Sequence, residues 1–206
     1  MMSASACRVI VSDLGKVLLP FDFAPAKRWL GERTRFGADG EGAWRAASAI
    51  YEATGFAVGR CSAADFIERL RGELDLRATN EEFSGGWSDV FWTDEATVGL
   101  VASARAQQRV LLSNTDPIHW DWIVARFGAC LAMFDHLAPS QETGVLKPHP
   151  EAYAAVERLT GRPASEHLLI DDLEANVAGA RAVGWDGIVH TTAEALELEL
   201  RTRGLL

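Results

Sequence analysis

Arg8-Val9-Ile10-Val11-Ser12-Asp13 is a short β-branched run that stops on a carboxylate. Two later stretches repeat the form. Arg109-Val110-Leu111-Leu112-Ser113-Asn114 closes on a hydroxyl and an amide, and His167-Leu168-Leu169-Ile170-Asp171-Asp172 closes on two carboxylates. Each is a continuous apolar run of strand length, the pattern of a strand covered on both faces in a parallel sheet. Asp186-Gly187-Ile188-Val189-His190 reads as a further strand, and Phe134-Asp135-His136-Leu137-Ala138 as a weaker one. Helical patterns lie between them. Leu173, Val177, Ala180 and Gly184 share one face of a helix beginning after Asp172. Pro148 and Pro150 open a helix through Tyr153, Val156 and Leu159, because proline's missing N–H is unpaired in a first turn anyway. Asp116-Pro117 supplies an N-cap and a proline at N1 before the segment Trp120–Phe127. Strands alternating with helices predict an α/β fold, a doubly wound, mainly parallel Rossmann-like sheet.

The stretch from Pro20 to Phe91 carries no convincing strand. Ala24–Phe36, Glu41–Ala53 and Ser62–Leu74 read as helices, and Thr79-Asn80-Glu81-Glu82 is a capping box that opens another. A helix from about Asp94 to Ala106 then returns the chain to the second strand. The expected organisation is a core domain of residues 1–19 and 92–206, with residues 20–91 inserted as an α-helical cap.

The chain has 206 residues, 48% of them hydrophobic, which suits one moderate domain with an insertion and excludes a disordered chain. Its net charge of −9 argues against nucleic acid and against an anionic membrane surface, both of which need clustered Lys and Arg. No apolar stretch reaches the roughly 18–20 residues of a membrane span. The first residues, Met1 to Cys7, show no basic region followed by an apolar run, so no signal peptide is expected. Cys7, Cys61 and Cys130 have no metal-binding spacing and are expected as buried free thiols in a reducing, cytoplasmic setting. Nothing in the sequence reports oligomeric state.

In open α/β sheets ligands sit at the carboxyl ends of the strands. Taken singly, Asp13 there is better read as an N-cap or turn aspartate and Ser113 as a turn serine. Lys147, in Gly144-Val145-Leu146-Lys147-Pro148-His149-Pro150, is as well read as a solvated loop lysine. Asp171-Asp172 is the strongest feature, since adjacent carboxylates closing a buried strand repel each other and call for a cation. Magnesium suits one or two carboxylates, waters and a substrate phosphate. Together the set is more specific than any member: a nucleophile in Asp13, a phosphate-binding hydroxyl in Ser113, a cation in Lys147 and a metal cluster. Those are the parts from which phosphoryl transfer is built, because positioning and charge neutralisation supply most of its catalysis.

In this order the segments resemble the four motifs of the haloacid dehalogenase superfamily: Val9–Leu18, Leu111–Thr115, Lys147 in Leu-Lys-Pro, and Leu168–Asp172. The branch resembled is the one with a helical cap after the first strand. Ser12-Asp13-Leu14-Gly15-Lys16-Val17, Leu112-Ser113-Asn114-Thr115 and Asp171-Asp172 with Asn176 look most like the sugar-1-phosphate phosphatase group, typified by α-D-glucose-1-phosphate phosphatase. The resemblance implies Asp13 as nucleophile and magnesium ligand, the Gly15 carbonyl as second ligand, and Asp172 supported by Asp171 as the rest of the metal site. It implies that Ser113, the Asn114 backbone and Lys147 hold the phosphate of a small phosphorylated metabolite, and that the cap excludes water.

Position 15 departs from the superfamily pattern, in which most phosphatases carry an acid/base aspartate two residues after the nucleophile. Such help is worth roughly 10²–10⁴-fold. Glycine there implies a substrate with a good leaving group, or a substitute in Lys16 or a cap residue. Two other readings compete: a metal-independent 2-haloacid dehalogenase, and a degenerate member that binds a phosphate ligand without hydrolysing it. A two-component receiver is disfavoured, because its acidic pair comes first and no cap intervenes. His119, Trp120 and Trp122, with Trp87 in the insertion and Trp92 at its end, are expected mainly as packing. His149 is expected to be an unremarkable loop histidine, and Glu194–Glu199 a solvated helix face.

Overall fold

The computed structural model describes residues 7–206, so residues 1–6 of the expected core domain and the leading stretch lie outside it. The sheet is five-stranded and all parallel: β1 (Val9–Ser12), β2 (Gln108–Ser113), β3 (His136–Pro139), β4 (His167–Asp171) and β5 (Asp186–Val189), in spatial order β3-β2-β1-β4-β5. The weakest strand pattern proves to be β3, displaced toward its C-terminal end. Chain order reverses at β1, which pairs with β2 on one side and β4 on the other, placing the switch point over Asp13.

The pleat divides the strand side chains. Ile10, Leu111, Leu168, Ile170 and Ile188 face one layer, packed under α5 (Glu95–Ser103), α6 (Pro117–Leu131) and α10 (Ala193–Thr202). Val9, Val11, Val110, Leu112 and Leu169 face the other, against Tyr153 and Val156 of α8 (Pro150–Thr160) and Val177 and Ala180 of α9 (Glu174–Ala182). A short α7 (Ser140–Thr143) follows β3. Both layers are apolar, which is why these strands carry no polar alternation. Leu173 is the N-cap of α9 rather than a face residue and is 53% exposed, and Gly184 lies past the helix at φ 94°.

Between β1 and α5 stand four helices with a core of their own: α1 (Ala24–Glu32), α2 (Gly40–Thr54), α3 (Ala63–Leu74) and α4 (Asn80–Ser88). Phe56, Phe66, Leu70, Phe83 and Trp87 fill it, and Ile118 of α6 plugs into it from the sheet side. The helix over Ala24–Phe36 ends early, at Glu32. Gly31 meets Gly37 and Gly40 so closely that a Cβ would stand 2.6 Å from the Gly37 carbonyl oxygen, and the chain turns there into α2. The capping box forms as read: Glu82 N–H donates to Thr79 Oγ1 at 3.1 Å, and Thr79 N–H to Glu82 Oε2 at 2.8 Å. One hydroxyl ties the inserted helices to the core. The single Ser140 Oγ proton has the carbonyls of Ala57 (2.6 Å) and Thr115 (2.9 Å) as acceptors, and the oxygen accepts from Thr115 N–H (2.9 Å).

All three cysteines are free, and only Cys130 is buried. Among the described residues no helix is long and apolar enough to cross a membrane.

Candidate active site

The ends of β1, β2 and β4 bring Asp13, Ser113 and Asp171 to one edge, and the loop before α8 drops Lys147 between them. Asp13 extends the ladder one step past β1, its N–H donating to the Ile170 carbonyl at 2.8 Å. The Lys147 ammonium is buried and places its protons on Asp13 Oδ1 (2.8 Å), Asp171 Oδ2 (2.7 Å) and the Leu112 carbonyl (2.7 Å). An ammonium has three donors, and all are used. The lysine backbone is fixed by a reciprocal pair: Asn114 Nδ2 donates to Lys147 O and Lys147 N–H to Asn114 Oδ1, both at 2.9 Å.

Asp171 is fully engaged. Its Oδ1 accepts from Leu173 N–H and Asn176 Nδ2 at 2.9 Å each, and Tyr153 OH anchors the Asn176 carbonyl at 2.7 Å. Asp172 is half-buried and faces a cavity of about 210 Å³ with Asp13, Gly15, Lys16 and Asn114. Oxygens of Asp13, Asp171 and Asp172 lie within 4.8 Å of one another. That donor set, hard oxygens with the Asp172 carboxylate facing open space, suits a magnesium ion.

The electrostatics follow from one cation serving two buried carboxylates. Burial pushes the Asp13 carboxyl up, to about 6; Lys147 opposes this and Asp171 adds to it. For Lys147, burial disfavours the charge, but Asp13 and Asp171 outweigh it and hold the ammonium above its ordinary range. The lysine therefore stays charged while Asp13 is left short of neutralisation. Asp172 is also raised, by burial and by Asp171, with Lys16 opposing.

Gly15, Phe21 and Asn114 line this cavity and a second one of about 310 Å³, which opens between α2, α4 and α6. Leu14, Phe21, Phe23, Trp44, Tyr51, Trp87, Phe91, His119 and Ile123 wall it. Trp44 and Trp87 stack at 4.8 Å, Phe23 lies 4.9 Å from Trp44 and 4.7 Å from Phe21, and His119 stacks on Trp87 at 5.5 Å. His119 is thus a lining residue and not mere packing. Its Nδ1 faces Asp116 Oδ2 at 2.7 Å and its Nε2 faces the Trp87 carbonyl at 3.2 Å. Burial pushes Asp116 up, yet His119 and the hydrogen bonds the carboxylate accepts hold it below its usual range. Burial and Asp116 drive the Tyr51 phenol above its own.

Trp120 packs in the core, Trp122 lies under Arg126 at 3.8 Å, and Trp92 is 52% exposed. His149 caps α8, its Nδ1 accepting from Glu151 N–H at 3.2 Å. Sequence reasoning passed over Phe21, Phe23, Trp44, Tyr51 and Phe91. The available signal was the Phe21-Asp22-Phe23 doublet directly after the first motif, too polar-flanked for a strand and too apolar for a solvated loop.

Residues 8–184 match the haloacid dehalogenase-like hydrolases. The chain belongs to this family. Among curated relatives, the (S)-2-haloacid dehalogenase of Xanthobacter autotrophicus is 33% identical to this hydrolase over 95 residues, 45% of the chain and 37% of that protein. The chain spans only 12% and 37% of the lengths of the curated relatives it matches. A haloacid dehalogenase family enzyme of Bacteroides thetaiotaomicron, crystallised with magnesium and inorganic phosphate, shares the hydrolase's fold with a TM-score of 0.76 at 20% identity, over 90% of this chain and 94% of that one. The L-2-haloacid dehalogenase of X. autotrophicus gives a TM-score of 0.61 at 23% identity, over 97% and 84%.

Proposed function

We propose that this hydrolase is a magnesium-dependent phosphohydrolase working through an aspartyl-phosphate on Asp13. The observation that carries this is the buried Lys147 ammonium clasping Asp13 and Asp171, with Asp172 open to the same cavity. The magnesium and phosphate of the Bacteroides enzyme support it. Asp13, Asp172 and the Gly15 carbonyl would hold the ion, and Asp171 would act by fixing Lys147 and the α9 N-terminus. When bound, magnesium supplies charge neutralisation for the phosphoryl oxygens.

In this reading the Asp13 carboxylate attacks phosphorus, the leaving oxygen departs with the bonding electrons, and water later cleaves the acyl phosphate. Ser113 and the Asn114 backbone bind phosphoryl oxygens. Lys147 acts on them as a charge, its three donors being already placed. Helices α1–α4, within the stretch 20–91, serve as the cap that keeps water from the intermediate. Position 15 carries no acid/base side chain, and a Cβ there would stand 3.0 Å from the Phe21 ring, which would have to give by a few tenths of an ångström. The motif resemblance to sugar-1-phosphate phosphatases points to small phosphorylated metabolites with good leaving groups, handled in the cytoplasm.

A metal-independent 2-haloacid dehalogenase is the second reading, favoured by the Xanthobacter relative. Three clustered carboxylates weigh against it, since a dehalogenase has no ion to neutralise them. Phosphate release from acetyl phosphate and glucose 1-phosphate, with and without Mg²⁺ and with Asp13→Asn as control, tests the proposal. Halide release from 2-chloropropionate without metal, and no phosphate release, would sink it.

A further inference from the structure

The second cavity carries chemistry that the first does not require. It shares Gly15, Phe21 and Asn114 with the Asp13 cleft, so the leaving group of a phosphate held at Asp13 has this space beside it. Its volume, about 310 Å³, is at the small end of ligand pockets, which run from about 300 to 1,000 Å³. Its walls are rings: Phe21, Phe23, Trp44, Trp87 and Phe91, with Trp44 and Trp87 stacked. The polar groups beyond the phosphate end are the Ser48, Tyr51 and Thr115 hydroxyls and the pair Asp116 and His119, which is spent on itself.

We infer that the leaving group this hydrolase takes is flat and apolar: an aryl or comparable planar enol-type phosphate. The inference rests on the phosphohydrolase reading and narrows its substrate away from sugars. A sugar in this space would set most of its hydroxyls against rings, with Ser48, Tyr51 and Thr115 as the few partners, and unpartnered buried hydroxyls are penalised. A ring slotted beside Trp44 gains area and offset stacking instead.

The chemistry at position 15 converges on the same class. With glycine there and the Phe21 ring against it, no carboxylic acid stands ready to protonate the departing oxygen. An aryloxide leaves unprotonated. The P–O(aryl) bond breaks with its electron pair going to the aryl oxygen as the Asp13 oxygen–phosphorus bond forms. Water then attacks the phosphoryl group, regenerating the Asp13 carboxylate and inorganic phosphate, and the proton released offsets that taken up by aryloxide in solvent.

The test is a Mg²⁺-supported panel of acetyl phosphate, glucose 1-phosphate, phenyl phosphate and 1-naphthyl phosphate, run on wild type, Trp44→Ala and Trp44→Phe. The expected result is a kcat/KM for the aryl esters at least about tenfold above glucose 1-phosphate. The ratio of naphthyl to acetyl phosphate should fall about tenfold in Trp44→Ala and recover in Trp44→Phe, the range a hydrophobic pocket commands. Calorimetry on Asp13→Asn adds a readout independent of turnover and of leaving-group reactivity: phenylphosphonate should bind at least about tenfold tighter than methylphosphonate. If acetyl phosphate is hydrolysed but glucose 1-phosphate matches the aryl esters, or the two phosphonates bind alike, the aryl assignment is overturned and the phosphohydrolase stands. If no phosphate ester or acetyl phosphate is hydrolysed, the phosphohydrolase reading itself fails and takes the aryl assignment with it.

Discussion

The two halves of the site each hold a buried aspartate with a nitrogen partner, and the two are tuned in opposite directions. Asp13 shares the one ammonium of Lys147 with Asp171 and is left with its carboxyl raised. Asp116 has His119 to itself, accepts the N–H groups of Ile118 and His119 at 2.9 Å, and is lowered. Burial acts the same way on both; the count of partners decides the sign. The Asp13 half is therefore held in a charged, under-satisfied state that suits nucleophilic attack, while the Asp116 half is satisfied and serves to hold the walls.

That contrast can be broken at several points. The largest effect expected is on turnover: Asp13→Asn lowers kcat at least about 10³-fold on every phosphate substrate, read by phosphate release. Next is Lys147→Met, which leaves Asp13 and Asp171 facing each other without a counter-ion. It should cost about 3–5 kcal/mol in urea unfolding. Chelating divalent metal should lower activity about 10²-fold or more, with recovery on adding Mg²⁺. Asp116→Asn breaks a satisfied pair and should destabilise by about 2–5 kcal/mol, read by urea unfolding.

The smallest effect is the most discriminating. A carboxyl raised in the fold contributes stability that is present below its unfolded value, about 3.9, and lost as pH rises through its folded value, about 6. In metal-free protein at pH 7, Asp13→Asn should therefore raise the thermal midpoint, whereas Asp116→Asn lowers it. Asp116, being lowered, contributes stability above its unfolded value that is lost only as pH falls through the folded one. Midpoints that fall for both variants would show that Asp13 is as well paired as Asp116.

The two halves also differ in how much of them could be read from the sequence. Asp13, Ser113 and Asp171 each sit at or one residue past a strand whose apolar run is local, so finding the strand finds the residue. Lys147 was harder, because the Asn114 amide that holds it comes from another loop. The aromatic pocket was not legible. Phe21, Trp44, Trp87 and His119 come from a loop and three helices, and ring periodicity on α2 looks the same whether it faces a core or a cavity. Boundary errors have local causes as well. The Ala24–Phe36 pattern outran α1 because a close backbone approach at Gly31, invisible to hydrophobic periodicity, ends it at Glu32.

The contact between Gly15 and Phe21 has an evolutionary side. The ring is half-buried, 4.7 Å from Phe23 and 5.8 Å from Phe91, so admitting a Cβ at 15 asks these rings to give together. An aspartate introduced at 15 is penalised while Phe21 stays, and shrinking Phe21 removes a pocket wall while glycine stays. The two positions are coupled: a general acid at 15 and the aromatic wall at 21 draw on the same space.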